Sequence, residues 1–129
     1  MASYPQSLKY TKEHEWARVS GNTATVGITA FAKDQLGDVV YLELPEAGAR
    51  VKKGEPFGVV ESTKAVSELF APVSGKVTKV NKALVDAPES INDDPYEKGW
   101  MIEIELSFPS EAGELLDAKQ YEELVAAEH

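Results

Sequence analysis

Cysteine is absent from the 129 residues, which removes disulfides, thiolate metal sites and cysteine nucleophiles together. Any sulfur chemistry must come from a cofactor. Histidine is nearly absent too: only His14 and His129 occur, so a zinc site or a Ser/His/acid triad would have to rest on His14. A stand-alone hydrolase is therefore disfavoured. Basic residues are few beside acids, 13 Lys and Arg against 22 Asp and Glu, giving a formal net charge of -9. Such a surface repels phosphate backbones and anionic lipid, so neither nucleic acid nor a membrane is expected as a partner. No apolar run approaches the roughly 18 residues that span a bilayer. Residues 1–9 carry neither the apolar run of a signal peptide nor the Arg-rich, acid-poor stretch of a transit peptide. A cytoplasmic, monomeric protein is the expectation.

What is present reads as a β protein with helical ends, in one domain over residues 1–129. Tyr10 to Val19 and Thr23 to Thr29 read as two strands around Ser20-Gly21-Asn22, whose Gly-Asn pair tolerates a tight hairpin. Thr29 can cap a short helix over Ala30 to Leu36, with Phe31 and Leu36 facing the core and Gly37 suited to the stop. From Asp38 to about Pro88, β-branched and apolar clusters are cut at close intervals by Pro and Gly, the pattern of a small sandwich or barrel. The stretch after Asn81, with its prolines and acids, reads as loop. Trp100 to Leu106 alternates as a half-buried strand, and Asp117 can cap a final amphipathic helix to about Ala127. The core is expected over about 23–106 and the last helix over about 117–127.

The β region also matches itself at an offset of 27 residues: Val39 with Val66, Leu42 with Leu69, Pro45 with Pro72, Gly48 with Gly75 and Gly54 with Asn81. Regular turns alone produce some Pro and Gly coincidences. The seam, however, falls at the polar turn Ser62 to Ala65 between two apolar strands, and of 11 lysines only Lys64 sits there. An exposed hairpin tip with small polar neighbours suits acylation, which needs a reachable amine that loses its proton from an ordinary pKa of about 10.4. On pattern alone a lysine in such a turn is more often a solvated charge.

Glu61-Ser62-Thr63-Lys64-Ala65, followed by Ala71-Pro72-Val73-Ser74-Gly75, resembles the lipoylation turn and succeeding strand of lipoyl domains. The E-S-x-K-A form is similar to that of glycine cleavage H-proteins. So are, in the family's order, Tyr10-Thr11-Lys12-Glu13-His14-Glu15-Trp16, Val26-Gly27-Ile28-Thr29, Leu36-Gly37-Asp38-Val39-Val40, Leu44-Pro45-Glu46 with Gly48, Asp94-Pro95-Tyr96 and Gly99-Trp100-Met101. The resemblance covers the chain from about Leu8 to Tyr121. It departs at Thr63, where the family commonly has Val, also small and β-branched.

The resemblance implies a flattened barrel-sandwich hybrid, the lipoyl hammerhead, with an N-terminal hairpin, a short helix and a C-terminal helix. It implies a carrier rather than an enzyme. Lipoate would be joined by an amide to Lys64, with Glu61, Ser62, Thr63 and Ala65 as the recognition turn for a lipoyl ligase or lipoyl transferase. The partners would be glycine decarboxylase (P-protein), aminomethyltransferase (T-protein) and dihydrolipoyl dehydrogenase (L-protein). A loaded arm bears an amine that water would release, so a sheltering cleft is expected, with acids to hold an ammonium end. Glu15, His14 and Glu61 are the candidates. The rival carriers are a lipoyl domain or relay serving a 2-oxoacid dehydrogenase complex, which typically carries D-K-A at the turn, and a biotinyl domain, which would place methionines where Thr63 and Ala65 stand. An enzyme using Lys64 as a Schiff-base nucleophile would need desolvation or nearby cations that this polar turn beside Glu61 does not offer.

Overall fold

Gly21 has φ +60, and Ser20 pairs with Thr23, so the Gly21-Asn22 dipeptide closes a two-residue hairpin loop as the sequence suggests. The computed structural model describes residues 4–128; Met1 to Ser3 and His129 lie outside the described residues. The hairpin strands are β2 (Glu15–Ser20) and β3 (Thr23–Ile28). The segment from Tyr10 is not one strand with β2: β1 (Lys9–Tyr10) is separate and folds back on it, pairing Tyr10 with Trp16. The reversal between them passes through His14, whose φ of +73 is the one positive value among described non-glycine residues.

Thr29 caps α1 (Ala30–Leu36) through its hydroxyl, which accepts from the Ala32 N–H, and Gly37 ends it at φ +82. The β region then supplies β4 (Val39–Glu43), β5 (Arg50–Val51), β6 (Pro56–Ser62), β7 (Val66–Phe70) and β8 (Gly75–Val80). The stretch expected as loop contains α2 (Lys82–Asp86) and α3 (Ser90–Asp93). These helices are too short to show a period, and they hold because Asn81 caps α2 while Leu84 and Ile91 are buried. β9 (Ile102–Leu106) follows, then a 3₁₀ segment at Pro109–Glu114 and α4 (Ala118–Ala127), entered through an Asp117/Gln120 capping box.

The strands form two antiparallel sheets among the described residues, one of order β1-β2-β3-β9-β8-β5 and one of order β4-β6-β7, with no closed barrel. Residues from Ala24 to Leu106 fill the main apolar cluster, and a second cluster joins Tyr10 and Trp16 to Tyr121 and Val125 of α4. The offset of 27 maps β4 onto β7 and β5 onto β8. β4 and β7 flank β6, and β5 pairs with β8. The match is imperfect where it meets the tip: Val39 is 1% exposed and Val66 70%. Asn81, paired by the offset with Gly54 at φ +83, has φ -82 and serves as a helix cap.

Candidate functional site

β6 and β7 pair from Pro56↔Phe70 to Glu61↔Val66, so the chain must turn within Ser62 to Ala65. Ser62 organises that turn. Its N–H donates to the Ala65 carbonyl at 2.8 Å, while its hydroxyl accepts from the N–H groups of Ala65 at 3.0 Å and Lys64 at 3.3 Å. This is the local hydroxyl-to-backbone bonding for which serine is favoured in turns. Thr63 N–H donates to the Asp38 carbonyl at 3.0 Å, tying the tip to the chain just after α1. Lys64 is exposed, and among the described residues its Nζ makes no hydrogen bond or ion pair. Its methylenes lie over Gly37, where an added Cβ would stand 3.3 Å from Lys64 Cε. The tip thus presents a primary amine on a fixed turn with no competing partner, which is what an acyl-transfer enzyme requires and what an amide-linked prosthetic group fits.

Glu15 lies elsewhere. It opens β2 next to Trp16, and strand alternation sends the two side chains to opposite faces. Trp16 joins the second cluster, where its indole N–H donates to the Pro95 carbonyl at 3.0 Å. Glu15 turns toward β7 and is 2% exposed. One carboxylate oxygen accepts from the Thr11 hydroxyl at 2.6 Å and the other from the Phe70 N–H at 3.2 Å. Burial is the largest influence on this carboxyl and pushes its pKa up to about 7, against the lowering effect of those hydrogen bonds. A buried acid near neutrality, bridging the two sheets, can exchange a proton or accept a cationic hydrogen-bond donor at physiological pH.

His14 points away from Glu15. Its ring stands 4.7 Å from that of Phe31 in α1, with Nδ1 2.8 Å from the Tyr121 hydroxyl and Nε2 3.2 Å from the Glu128 carboxylate. The residues read from the sequence therefore fall into two groups. Glu61, Ser62, Thr63, Lys64 and Ala65 come together at the tip; Glu15 and His14 sit by the other end of β7, and their side chains diverge. Among the described residues no cluster of His, Asp and Glu could hold a metal ion.

The family model described as Glycine cleavage H-protein matches residues 8–128. The chain belongs to the glycine cleavage H-protein family. It is 65% identical over 121 residues to a glycine cleavage system H protein of Anaeromyxobacter sp. (strain K), covering 94% of each chain. The corresponding protein of Brevibacillus brevis is 57% identical over 122 residues, covering 95% of this chain and 97% of that one. Among solved structures, the crystal structure of a glycine cleavage system H protein from Mycobacterium marinum superposes with a TM-score of 0.89 at 41% identity, over 95% of this chain and 99% of that chain. The lipoyl-domain-like fold is thereby shown. These relatives are bacterial, and no described helix is long and apolar enough to cross a membrane.

Three contributors to the site escape a reading of the sequence. Gly37 reads as a helix stop, and its second role beneath the Lys64 side chain depends on the β6–β7 tip reaching the residues just after α1. Asp38 acts through its carbonyl, and Phe70 through its N–H, so their side chains carry no sign of it.

Proposed function

We propose that this chain is the lipoyl-carrying shuttle of the glycine cleavage system, with lipoate held in amide linkage to Lys64 Nζ. It moves the aminomethyl group of glycine from glycine decarboxylase to aminomethyltransferase, and electrons to dihydrolipoyl dehydrogenase. The observation that carries the reading is the exposed, unpaired Lys64 amine at the tip of a hairpin whose turn Ser62 organises, in a chain of this family. When bound, the group supplies a disulfide that accepts and releases the one-carbon unit and two electrons. The chain itself contributes no reacting side chain: it is a carrier domain, residues 1–129, with Glu61, Ser62, Thr63 and Ala65 presenting the lysine to a lipoyl ligase or transferase. The net charge of -9 suits brief docking on basic partner surfaces.

Glu15 accepts the ammonium end of the cargo in this reading. The carboxylate is already desolvated, and ammonium-to-carboxylate hydrogen bonds are about twice as strong as neutral ones. Thr11 and the Phe70 N–H hold both oxygens in place beforehand. His14 belongs to the turn that carries Glu15, and Glu61 remains with the tip. The test is reconstitution. The lipoylated chain mixed with the three partner enzymes supports glycine-dependent reduction of NAD, and the Lys64→Arg protein, folded but without an acceptor amine, supports none. Full turnover by the Lys64→Arg protein would refute the assignment.

A further inference from the structure

The turn that delivers Glu15 runs from Thr11 to Glu15, and it is held from two sides. Inside the turn, His14 N–H donates to the Thr11 carbonyl at 3.1 Å and Thr11 N–H to the Glu15 carbonyl at 3.0 Å. The Thr11 hydroxyl accepts from the Glu15 N–H at 3.1 Å while donating to the Glu15 carboxylate at 2.6 Å. These bonds set Glu15 relative to Thr11. They do not set the turn relative to the rest of the molecule, and its pivot is His14, whose φ of +73 a side-chain-bearing residue keeps only when its surroundings hold it there.

At its Glu15 end the turn is held by pairing with Ile28 of β3 and by the Phe70 N–H; at its His14 end, by α4 and the start of α1. The His14 carbonyl accepts from the Thr29 N–H at 3.0 Å, and the ring reaches Tyr121 and Glu128 of the C-terminal helix region. A continuous polar chain runs from Thr29 through Tyr121 and His14 to Glu128. Ala32 N–H donates to the Thr29 hydroxyl oxygen at 3.2 Å, so the Thr29 hydroxyl hydrogen is available to Tyr121 at 2.7 Å. The Tyr121 hydroxyl lies 2.8 Å from His14 Nδ1, and Nε2 lies 3.2 Å from the Glu128 carboxylate, so the ring links the two. Tyr121 is itself fixed, fully buried and stacked on Tyr10 at 4.7 Å between ring centres.

We propose that His14 is a positioning residue: through Tyr121 it transmits the docking of α4 to the Thr11–Glu15 turn and so fixes the Glu15 carboxylate between β2 and β7. The sequence reading grouped His14 with Glu15 as a contact for the cargo; the geometry makes it a brace behind that contact. The consequence for function rests on the reading of Glu15 as the ammonium acceptor.

The experiment compares His14→Asn, which still tolerates positive φ, with Tyr121→Phe, which keeps the ring stack but loses the hydroxyl, and with the double variant. Two quantities are read: the titration midpoint of the ¹³C-labelled Glu15 carboxyl, and the rate at which the loaded carrier releases formaldehyde and ammonia. Each single variant loosens the turn and admits water to the carboxyl. Because burial is the largest influence there, its relief outweighs the loss of hydrogen bonds. The midpoint falls by about 0.7 pH unit and release speeds about fivefold, the factor that one net hydrogen bond is worth. The double variant changes neither further, because both substitutions break the same chain. Val77→Ala, in the main cluster, lowers the melting temperature and moves neither quantity, which separates positioning from general stability. Folded single variants with an unmoved Glu15 titration, or effects that add fully in the double variant, would overturn the proposal. Wild-type release by Glu15→Gln would end the ammonium reading instead, and the carboxyl titration would still decide whether His14 positions Glu15.

Discussion

Two turns carry the chemistry of this chain, and they are built in opposite ways. The Ser62 to Ala65 tip is held mainly by its own residues, with Ser62 bonded to Lys64 and Ala65 and a single strut from Thr63 to Asp38. Its lysine is left in water. The Thr11 to Glu15 turn is held by residues far along the chain, Phe70, Tyr121 and Glu128, and its carboxylate is 2% exposed. The difference follows from the tasks proposed for them. An attachment point must be reached by several large partners, whereas an acceptor for a hydrolysable cargo must be kept from water.

The largest effect that would sharpen this contrast concerns pH. Glu15 has its folded pKa raised to about 7 from an ordinary 4.5, so the stability it allows is fully present below about pH 4.5 and is lost as pH rises through 7. The change is on the order of 3 kcal/mol at 1.36 kcal/mol per pH unit. Glu15→Gln has no charge to bury, so its unfolding free energy, measured by urea titration from pH 5 to 8.5, should fall less steeply than that of the wild type. Parallel curves would mean that the carboxylate is not held in a dry site.

Gly27 tests the buried region by crowding. A Cβ there would stand 2.7 Å from the Trp16 indole, which is fully buried and pinned through its N–H to Pro95. Gly27→Ala should cost about 2 kcal/mol, the middle of the range for overpacking. Lipoylation of Lys64 by a ligase should proceed at the wild-type rate in the folded protein, because the tip does not depend on this cluster. A smaller effect is expected from Ser62→Ala, which removes the acceptor for two N–H groups and should cost about 1 kcal/mol. Here the order reverses: ligase turnover falls while the Glu15 titration stays put. A slowed ligase in Gly27→Ala, or a shifted Glu15 in Ser62→Ala, would break the separation of the two turns.

The same contrast explains what could be read in advance. The tip was legible because its determinants are consecutive: apolar strands on both sides, a serine to organise the turn, and a lysine at the seam of the 27-residue offset. The caps at Thr29 and Asp117 were legible for the same reason, and both helices begin where those residues place them. Chemical identity came from resemblance, since pattern alone favours a solvated charge at Lys64. The Glu15 turn was legible only as a motif. Nothing near Glu15 or His14 in the sequence announces partners 55 or 107 residues away, nor that Tyr10 to Val19 would break into two strands at a left-handed residue. The helices α2 and α3 were missed because each depends on burying one side chain, Leu84 or Ile91, against elements that the local sequence does not contain.

Whether Lys64 anchors lipoate is decided by intact-mass analysis after expression with lipoate and an active lipoyl ligase. The expected result is a gain of one lipoyl amide, mapped by peptide fragmentation to Lys64 and absent from Lys64→Arg. No gain, a gain retained in Lys64→Arg, or a biotinyl mass in its place would contradict it.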